Sequence, residues 1–239
     1  MFIEPSDLRQ SPDGLHVLED IERASQRLVV QALVEFHDAR RIFNSESDLQ
    51  GDIGEDITRE ALDRMGVSGA RIRVPGKIDY KRARLVFHPD YAVRQALLID
   101  SKAEKGALNV ARVQISQTSL EIRQVRAGQN IAEQSALPQS VTSGGLNFLT
   151  TTIFVKYHYE ETESGNNLKT IKVICLPNGM LQDKYNPDAQ HSIWTAGPNA
   201  PTLGEAFRTR LSFTRLKALA GWRVQDVLLD PAEPFVWRR

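Results

Sequence analysis

The most restrictive stretch of the chain runs from residue 77 to residue 105, KIDYKRARLVFHPDYAVRQALLIDSKAEK. Its two arms, 78–87 and 91–102, are rich in Ile, Val, Leu and Tyr and meet at His88-Pro89-Asp90, which predicts a β-hairpin. The second arm carries the apolar run Ala96-Leu97-Leu98-Ile99 straight into Asp100-Ser101-Lys102. A strand that is buried along such a run and then ends among charges needs partners that balance them.

Two upstream acids are candidates, Asp79 and Asp90. Antiparallel partners carry numbers of constant sum, about 179 for a bend near residues 89 and 90, and this sets Asp79 opposite Asp100. Asp100 and Lys102, two apart on a strand, project from one face together with a directly opposed partner. Asp90 sits at the bend, ten extended residues or about 30 Å from Asp100. Two explanations fit three converging charges. One is a structural ion pair. The other is a hard-cation site in which Asp79 and Asp100 hold Mg²⁺ while Lys102 orients the attacking water and steadies developing negative charge. The second arrangement suits in-line hydrolysis of a phosphodiester that leaves a 5′-phosphate and a 3′-hydroxyl.

The rest of the chain sets the frame for this hairpin. Apolar residues recur helically over 15–43 (Leu18, Ile21, Leu28, Ala32, Phe36, Ala39, Phe43), and a second helix is expected over 53–65, ended by Gly66. Strands are expected at FLTTTIFVKYHYE, LKTIKVICLP, AFRTRLSF and RVQDVLL, with a short helix at TRLKALAGW. Residues 106–145 are rich in Gln, Ser and Gly, and a helix near 108–126 is the one element expected there; part of this long segment is expected to be a functional or interface loop. The pattern is α/β, a mixed central sheet flanked by helices. One domain over 1–239 is expected, with a helical part at 1–66, the hairpin part at 67–105 and a later sheet part at 146–239.

Composition excludes several classes. At 41% hydrophobic and 25% charged residues the chain is neither disordered nor collagenous nor coiled-coil. No apolar run reaches the roughly 18–20 residues of a membrane span, and the acidic N-terminus is neither a signal nor a transit peptide, so a cytoplasmic location is expected. The single cysteine, Cys175, lies in the apolar run IKVICL and is expected to be a buried thiol. The five histidines show no paired metal-ligand spacing, and there is no Gly-rich phosphate loop. The net charge of zero conceals an asymmetry: residues 1–66 hold 15 acidic and 7 basic side chains, leaving 15 acidic and 23 basic of the 30 and 30 in the whole chain. That later surplus is what an anionic partner would need.

The spacing Asp79, twenty residues, Asp100-Ser101-Lys102 resembles the PD-(D/E)-x-K nucleases. With GEDITREAL, IDYKRAR, ALLIDSKA, TTTIFVKYHY, KYNPD and GEAFRTRLSFTRLK in that order, residues 51–222 resemble the SfiI family of type II restriction endonucleases. Ile78 stands where the motif's name has proline, a replacement that the SfiI-like pattern tolerates. The resemblance implies a restriction-endonuclease-like core and Mg²⁺-dependent, sequence-specific cleavage of double-stranded DNA at an interrupted palindrome. It also implies a homo-oligomer, tetrameric as in SfiI or dimeric as in the related BglI. Such nucleases often supply a further carboxylate from a preceding helix. Glu55 is the candidate and Asp56 its rival, with a solvated helix charge as the plain alternative.

Sequence reading by DNA-binding proteins requires donors at base edges, most often Arg or Lys on guanine. Arg208 and Arg210 alternate on AFRTRLSF, where the family pattern has its counterparts, and are the expected base readers; a solvated sheet face is the alternative. The turn QDKYNPDAQH offers Lys184 and Asn186 as donors and Asp188 as an acceptor for cytosine, although Asn-Pro-Asp is also a good turn in its own right. Lys105, Arg112 and Arg123 are expected phosphate contacts.

Overall fold

Residues 146–162 alternate Thr, Ile, Val, Tyr and Phe with little that favours a helix, and they form the longest strand of the fold. The computed structural model describes residues 3–46, 50–66, 71–74, 81–88, 92–106, 108–163, 165–197, 209–227 and 233–239, with 71–74 and 81–88 described by their backbone pairing. In chain order these form helices α1 (Asp7–Gln10), α2 (Gly14–Glu35), α3 (Ala39–Ser45) and α4 (Gln50–Arg64), then strands β1 (Arg71–Val74), β2 (Lys81–His88), β3 (Val93–Glu104) and β4 (Val110–Val113). After a 3₁₀ turn at Ile115–Gln117 come β5 (Ile122–Arg126), β6 (Gln129–Glu133), β7 (Ser140–Ser143), β8 (Leu146–Thr162) and β9 (Gly165–Leu176). A short helix α5 (Gln182–Tyr185) precedes β10 (Trp194–Ala196), β11 (Thr209–Ser212), α6 (Phe213–Leu219) and β12 (Val224–Val227).

The main sheet runs β1-β2-β3-β8-β9-β12, with β7 added along the first residues of β8. Within it β3 and β8 are parallel, Asp100 beside Phe154 and Lys102 beside Lys156, while the other pairings are antiparallel. A smaller sheet runs β10-β11-β4, and β5 pairs with β6. The mixed α/β architecture is therefore the one expected from the sequence.

Period-two alternation divides the core into two layers. Ile153, Val155, Tyr157, Val173 and Cys175 pack with Val29, Leu33, Phe36, Phe43 and Ile57, so α2, α3 and α4 cover that face. Phe154, Ile174 and Val224 pack with Trp194, Leu211, Phe213 and Leu216, so the small sheet and α6 cover the other. Cys175 is buried and unbridged, as expected.

Two expected elements need correction. The single helix over 15–43 is broken at Phe36-His37-Asp38, and the break turns α3 so that the Phe43 ring meets Tyr157 and Tyr159 at centroid distances of 5.7 and 5.4 Å. The helix expected near 108–126 is absent: β4, the 3₁₀ turn and β5 occupy those residues. Val110 and Val113 are pleated-surface residues that gain ladder bonds from β11, and this long-range pairing overrides a weak local helical tendency.

Buried charge ties the chain's two ends together. Arg223 and Glu22 are both fully buried and 2.6 Å apart, and the Arg223 guanidinium lies between the Tyr185 and Trp222 rings. Glu22 also accepts the Asn178 backbone N–H at 2.7 Å, and Glu19, 3.4 Å from Arg223, accepts from the Tyr185 hydroxyl. Burial pushes the Glu22 carboxyl up, against the pull of Arg223. A charged row crosses the main sheet in register from Lys102 to Lys156, Lys172 and Asp226. Asp226 pairs with Lys172, with Arg238 at 3.0 Å and with Lys217 at 3.7 Å. Burial opposes its ionisation, but these cations prevail and hold the carboxyl below its ordinary value.

Replacing Arg223 by Met, which leaves Glu22 buried without its cation, is expected to cost about 3–5 kcal/mol in urea unfolding. Because the folded-state Asp226 carboxyl titrates below its unfolded value, it stabilises the fold above roughly pH 4, and that contribution is lost as pH falls through the folded value. Asp226→Asn should therefore be less stable than the parent at pH 7, with the gap closing in unfolding curves recorded toward pH 3.

Candidate active site

Strand β3 delivers Asp100 and Lys102 to the sheet face covered by the small sheet, as the alternation of Asp100-Ser101-Lys102 requires. Lys102 Nζ lies 3.3 Å from Asp100 Oδ2 and 6.0 Å from the centre of the Phe154 ring. The Asp100 side chain keeps 13% of its exposure and the Lys102 side chain 28%, enough for a ligand to reach them. Asp79 and Asp90 lie outside the described residues. The pairing that is described runs from Ala83↔Leu98 to His88↔Val93, a constant sum of 181 where the bend predicted 179. The difference of two leaves the parity of the pairing intact.

Ser101 points to the opposite face and is held there. Its Oγ donates to Thr58 Oγ1 at 2.8 Å, and Thr58 Oγ1 donates to the Gly54 carbonyl at 3.0 Å and lies 2.7 Å from the Tyr157 hydroxyl. Gly54 makes this approach feasible, since a Cβ there would sit 3.0 Å from the Tyr157 ring. Helix α4 thus backs the Asp-x-Lys strand from behind. On the helical wheel Glu55 falls beside the buried Leu62, at the flank of the packed face, while Asp56 points away and pairs with Arg59. Glu55 is exposed and belongs to the helical layer behind β3, on the side of the sheet opposite Asp100.

Three residues that sequence reasoning missed complete the face. Gln117, buried in the 3₁₀ turn, donates from Nε2 to Asp100 Oδ1 at 2.8 Å. Glu104, two residues beyond Lys102, is held by Lys156 Nζ at 2.8 Å and by Arg112 Nε at 3.2 Å. Lys156 is itself buried and also donates to the Val110 carbonyl at 2.7 Å. The signal for Glu104 was the alternation itself, which puts it on the Asp100 face; Gln117 had no signal, because its turn lies in a segment without periodicity.

The candidate DNA contacts divide. Arg210 and Arg112 are cross-strand partners in β11 and β4, on the outer side of a sheet whose Ala111, Val113 and Leu211 face inward. A Cβ on residue 197 would lie 2.7 Å from Arg210 Nε, so Gly197 lets this guanidinium lie close to the backbone of the chain after β10. Arg208 lies outside the described residues. Asn186 is fully buried, and its amide donates to the Glu121 carbonyl, so in this structure it shapes the turn. Lys184 is half-exposed but paired with Glu19. Asp188 is exposed, yet its carboxylate accepts the Gln190 and His191 N–H groups and faces the His191 ring at 2.9 Å. The His191 backbone and side-chain bonds lower its pKa, as in a conformational Asx turn. Lys105 is paired with Glu161, and Arg123 is committed to Glu121 at 2.6 Å and the Pro187 carbonyl.

Among the described residues no three His, Cys, Asp or Glu side chains gather as a metal cage. Magnesium needs only one or two carboxylates, and the hard oxygen donors of Asp100, partly exposed beside an ammonium, fit that requirement.

Comparison with known proteins follows the same lines. The family model for the type II restriction enzyme SfiI matches residues 18–227. The type II restriction enzyme SfiI of Streptomyces fimbriatus is 35% identical over 230 residues, covering 90% of this chain and 85% of that protein. The crystal structure of tetrameric SfiI bound to cognate DNA superposes with a TM-score of 0.80 at 31% identity, over 92% of this chain and 88% of that one. The restriction endonuclease BglI bound to its DNA recognition sequence gives a TM-score of 0.72 at 15% identity, over 95% and 94% of the two chains, a likeness of fold.

Proposed function

The chain belongs to the SfiI family of type II restriction enzymes, and from that premise we propose that it cuts double-stranded DNA with Mg²⁺ within an interrupted palindrome, leaving 5′-phosphate and 3′-hydroxyl ends. The observation that carries this reading is the Asp100–Lys102 pair, presented on the face roofed by the sheet that bears Arg210. When bound, Mg²⁺ supplies Lewis-acid charge at the scissile phosphate. Asp100, with Asp79 as its expected partner, would hold the ion, and Glu55, exposed on α4 behind β3, is the further carboxylate of this reading. Lys102 places its ammonium where the attacking water is oriented and where negative charge develops in transit. No covalent intermediate with the protein is required.

Arg210 is the base reader in this scheme, with Arg208 beside it in sequence, and Arg112 contacts phosphate, which fixes register without reading sequence. Lys105, Lys184 and Asp188 take part only by leaving their present partners. The whole chain acts as one endonuclease domain in the cytoplasm, and by likeness to tetrameric SfiI it works as a homo-oligomer, a tetramer or a dimer.

Three experiments test this. Incubation with a long, fully sequenced, unmethylated DNA in Mg²⁺ should give discrete ends that share an interrupted palindrome; scattered ends would remove the restriction reading. Asp100→Asn should abolish cutting yet bind the mapped site in Ca²⁺ as the parent does, and undiminished cutting would dismiss Asp100 as a metal ligand. Arg210→Ala should lose about 1–3 kcal/mol of discrimination between the mapped site and a site with one base pair changed, measured as a ratio of cleavage rates.

A further inference from the structure

The turn that follows β4 is built around one side chain. Gln117 Oε1 accepts the Gln114 backbone N–H at 2.8 Å, while the Gln114 side chain accepts from the Gln117 backbone, so the pair closes a reciprocal capping box around the 3₁₀ turn. This fixes the sense of the amide. With Oε1 committed to an N–H, only the Nε2 donors face outward, and one of them meets Asp100 Oδ1 at 2.8 Å. Gln117 is 2% exposed, so no solvent molecule substitutes easily for either bond. The same segment begins with β4, whose Arg112 opposes Arg210 and reaches Glu104 on the catalytic strand at 3.2 Å.

We propose that Gln117 is a positioning residue for Asp100: it fixes the orientation of the carboxylate that binds the metal, and mounts that carboxylate on the β4 arm, the arm paired with the DNA-reading strand. This rests on the nuclease reading above and deepens it. A neutral donor suits the role. It stabilises the ionised carboxylate and defines its plane without adding a second charge that would compete with the cation. A role confined to capping the turn would be different, since that needs only the acceptor at Oε1.

Gln117→Glu keeps an acceptor for the Gln114 N–H but puts a second carboxylate against Asp100 in place of the donor, so that the two acids repel or share a proton and the orientation of Asp100 is lost. Gln117→Leu removes both bonds and serves as the second variant should the first fail to fold. Three quantities are read on the intact chain: thermal midpoint, affinity for the mapped DNA without metal and across a Ca²⁺ titration, and single-turnover cleavage in Mg²⁺ at saturating DNA. For Gln117→Glu we expect a lower midpoint in metal-free buffer, since two buried carboxylates then face each other, and cleavage slowed by about ten- to a hundred-fold. For Gln117→Leu, which adds no charge, we expect metal-free DNA binding within about two-fold of the parent's, at least a five-fold higher Ca²⁺ concentration to enhance binding, and cleavage slowed to a similar degree. A folded Gln117→Glu protein with the parent's Ca²⁺ dependence and cleavage rate would overturn the assignment; so would Gln117→Leu with both unchanged. A parent protein that fails to cut any DNA would overturn the nuclease reading, and with it this one, whereas with normal parental cutting the variants bear on Gln117 alone.

Discussion

The parallel pairing of β3 with β8 is the constraint from which the site follows. Antiparallel neighbours can be joined by a tight turn, but a parallel pair must be joined by a crossover that returns the chain to the starting end of the strand. In most α/β folds a helix makes that return. Here residues 105–145 make it with β4, a 3₁₀ turn, β5, β6 and β7. The detour lays β4 over the face that carries Asp100 and Lys102, and three of its attachments to the main sheet fall at charged groups: Lys156 to the Val110 carbonyl, Arg112 to Glu104, Gln117 to Asp100. The crossover is thus the other half of the site.

A second constraint acts where α2 meets the residues just before β12. Burying Arg223 with Glu22 takes two charges out of water, which seldom gains stability over a well-packed apolar pair. What such a pair does enforce is geometry. Arg223 must lie where it meets Glu22, Glu19 and two aromatic faces at once, and this docks α2 from the start of the chain against β12 near its end. Glu19 extends the network to Lys184 and Tyr185, the start of the turn that leads toward β10 and β11. The segment read from sequence as a DNA-contacting loop is therefore held by a buried network, which explains why Asn186 and Lys184 are engaged inward.

How much was legible depended on whether a residue's surroundings were local. The Asp-Ser-Lys strand, the long β8–β9 hairpin, α4, α6 and the buried cysteine all carry periodicity or flanking turns within a dozen residues, and these are readable from the chain. The break at Phe36 is not, because the apolar spacing runs on through it and only the positions of Tyr157 and Tyr159 make Phe43 turn. Residues 110–113 look undecided in isolation, since their strand character is conferred by β11, nearly a hundred residues later, while β5 owes its own to the neighbouring β6. Gln117 was invisible for the same reason. The identity of Arg210 as a site candidate was legible; its cross-strand partner Arg112 was picked only as a phosphate contact, and the pairing between them emerges in the register alone.

The middle residue of Asp100-Ser101-Lys102 shows how the two layers meet. Strand alternation gives the flanking charges to one face and Ser101 to the other, where Thr58, Tyr157 and the Gly54 carbonyl form one hydrogen-bonded node with it. The node fastens α4 to the back of β3, while Gln117 and Glu104 fasten the β4 arm to its front. A strand clamped at consecutive residues from opposite sides cannot twist one charge away without straining the next. Catalytic constellations need geometry held to about half an ångström, and rigid strands meet that demand better than loops. The serine is therefore part of the site's construction: its bond ties the backbone between Asp100 and Lys102 to α4, while the bond from Gln117 holds the Asp100 carboxylate itself.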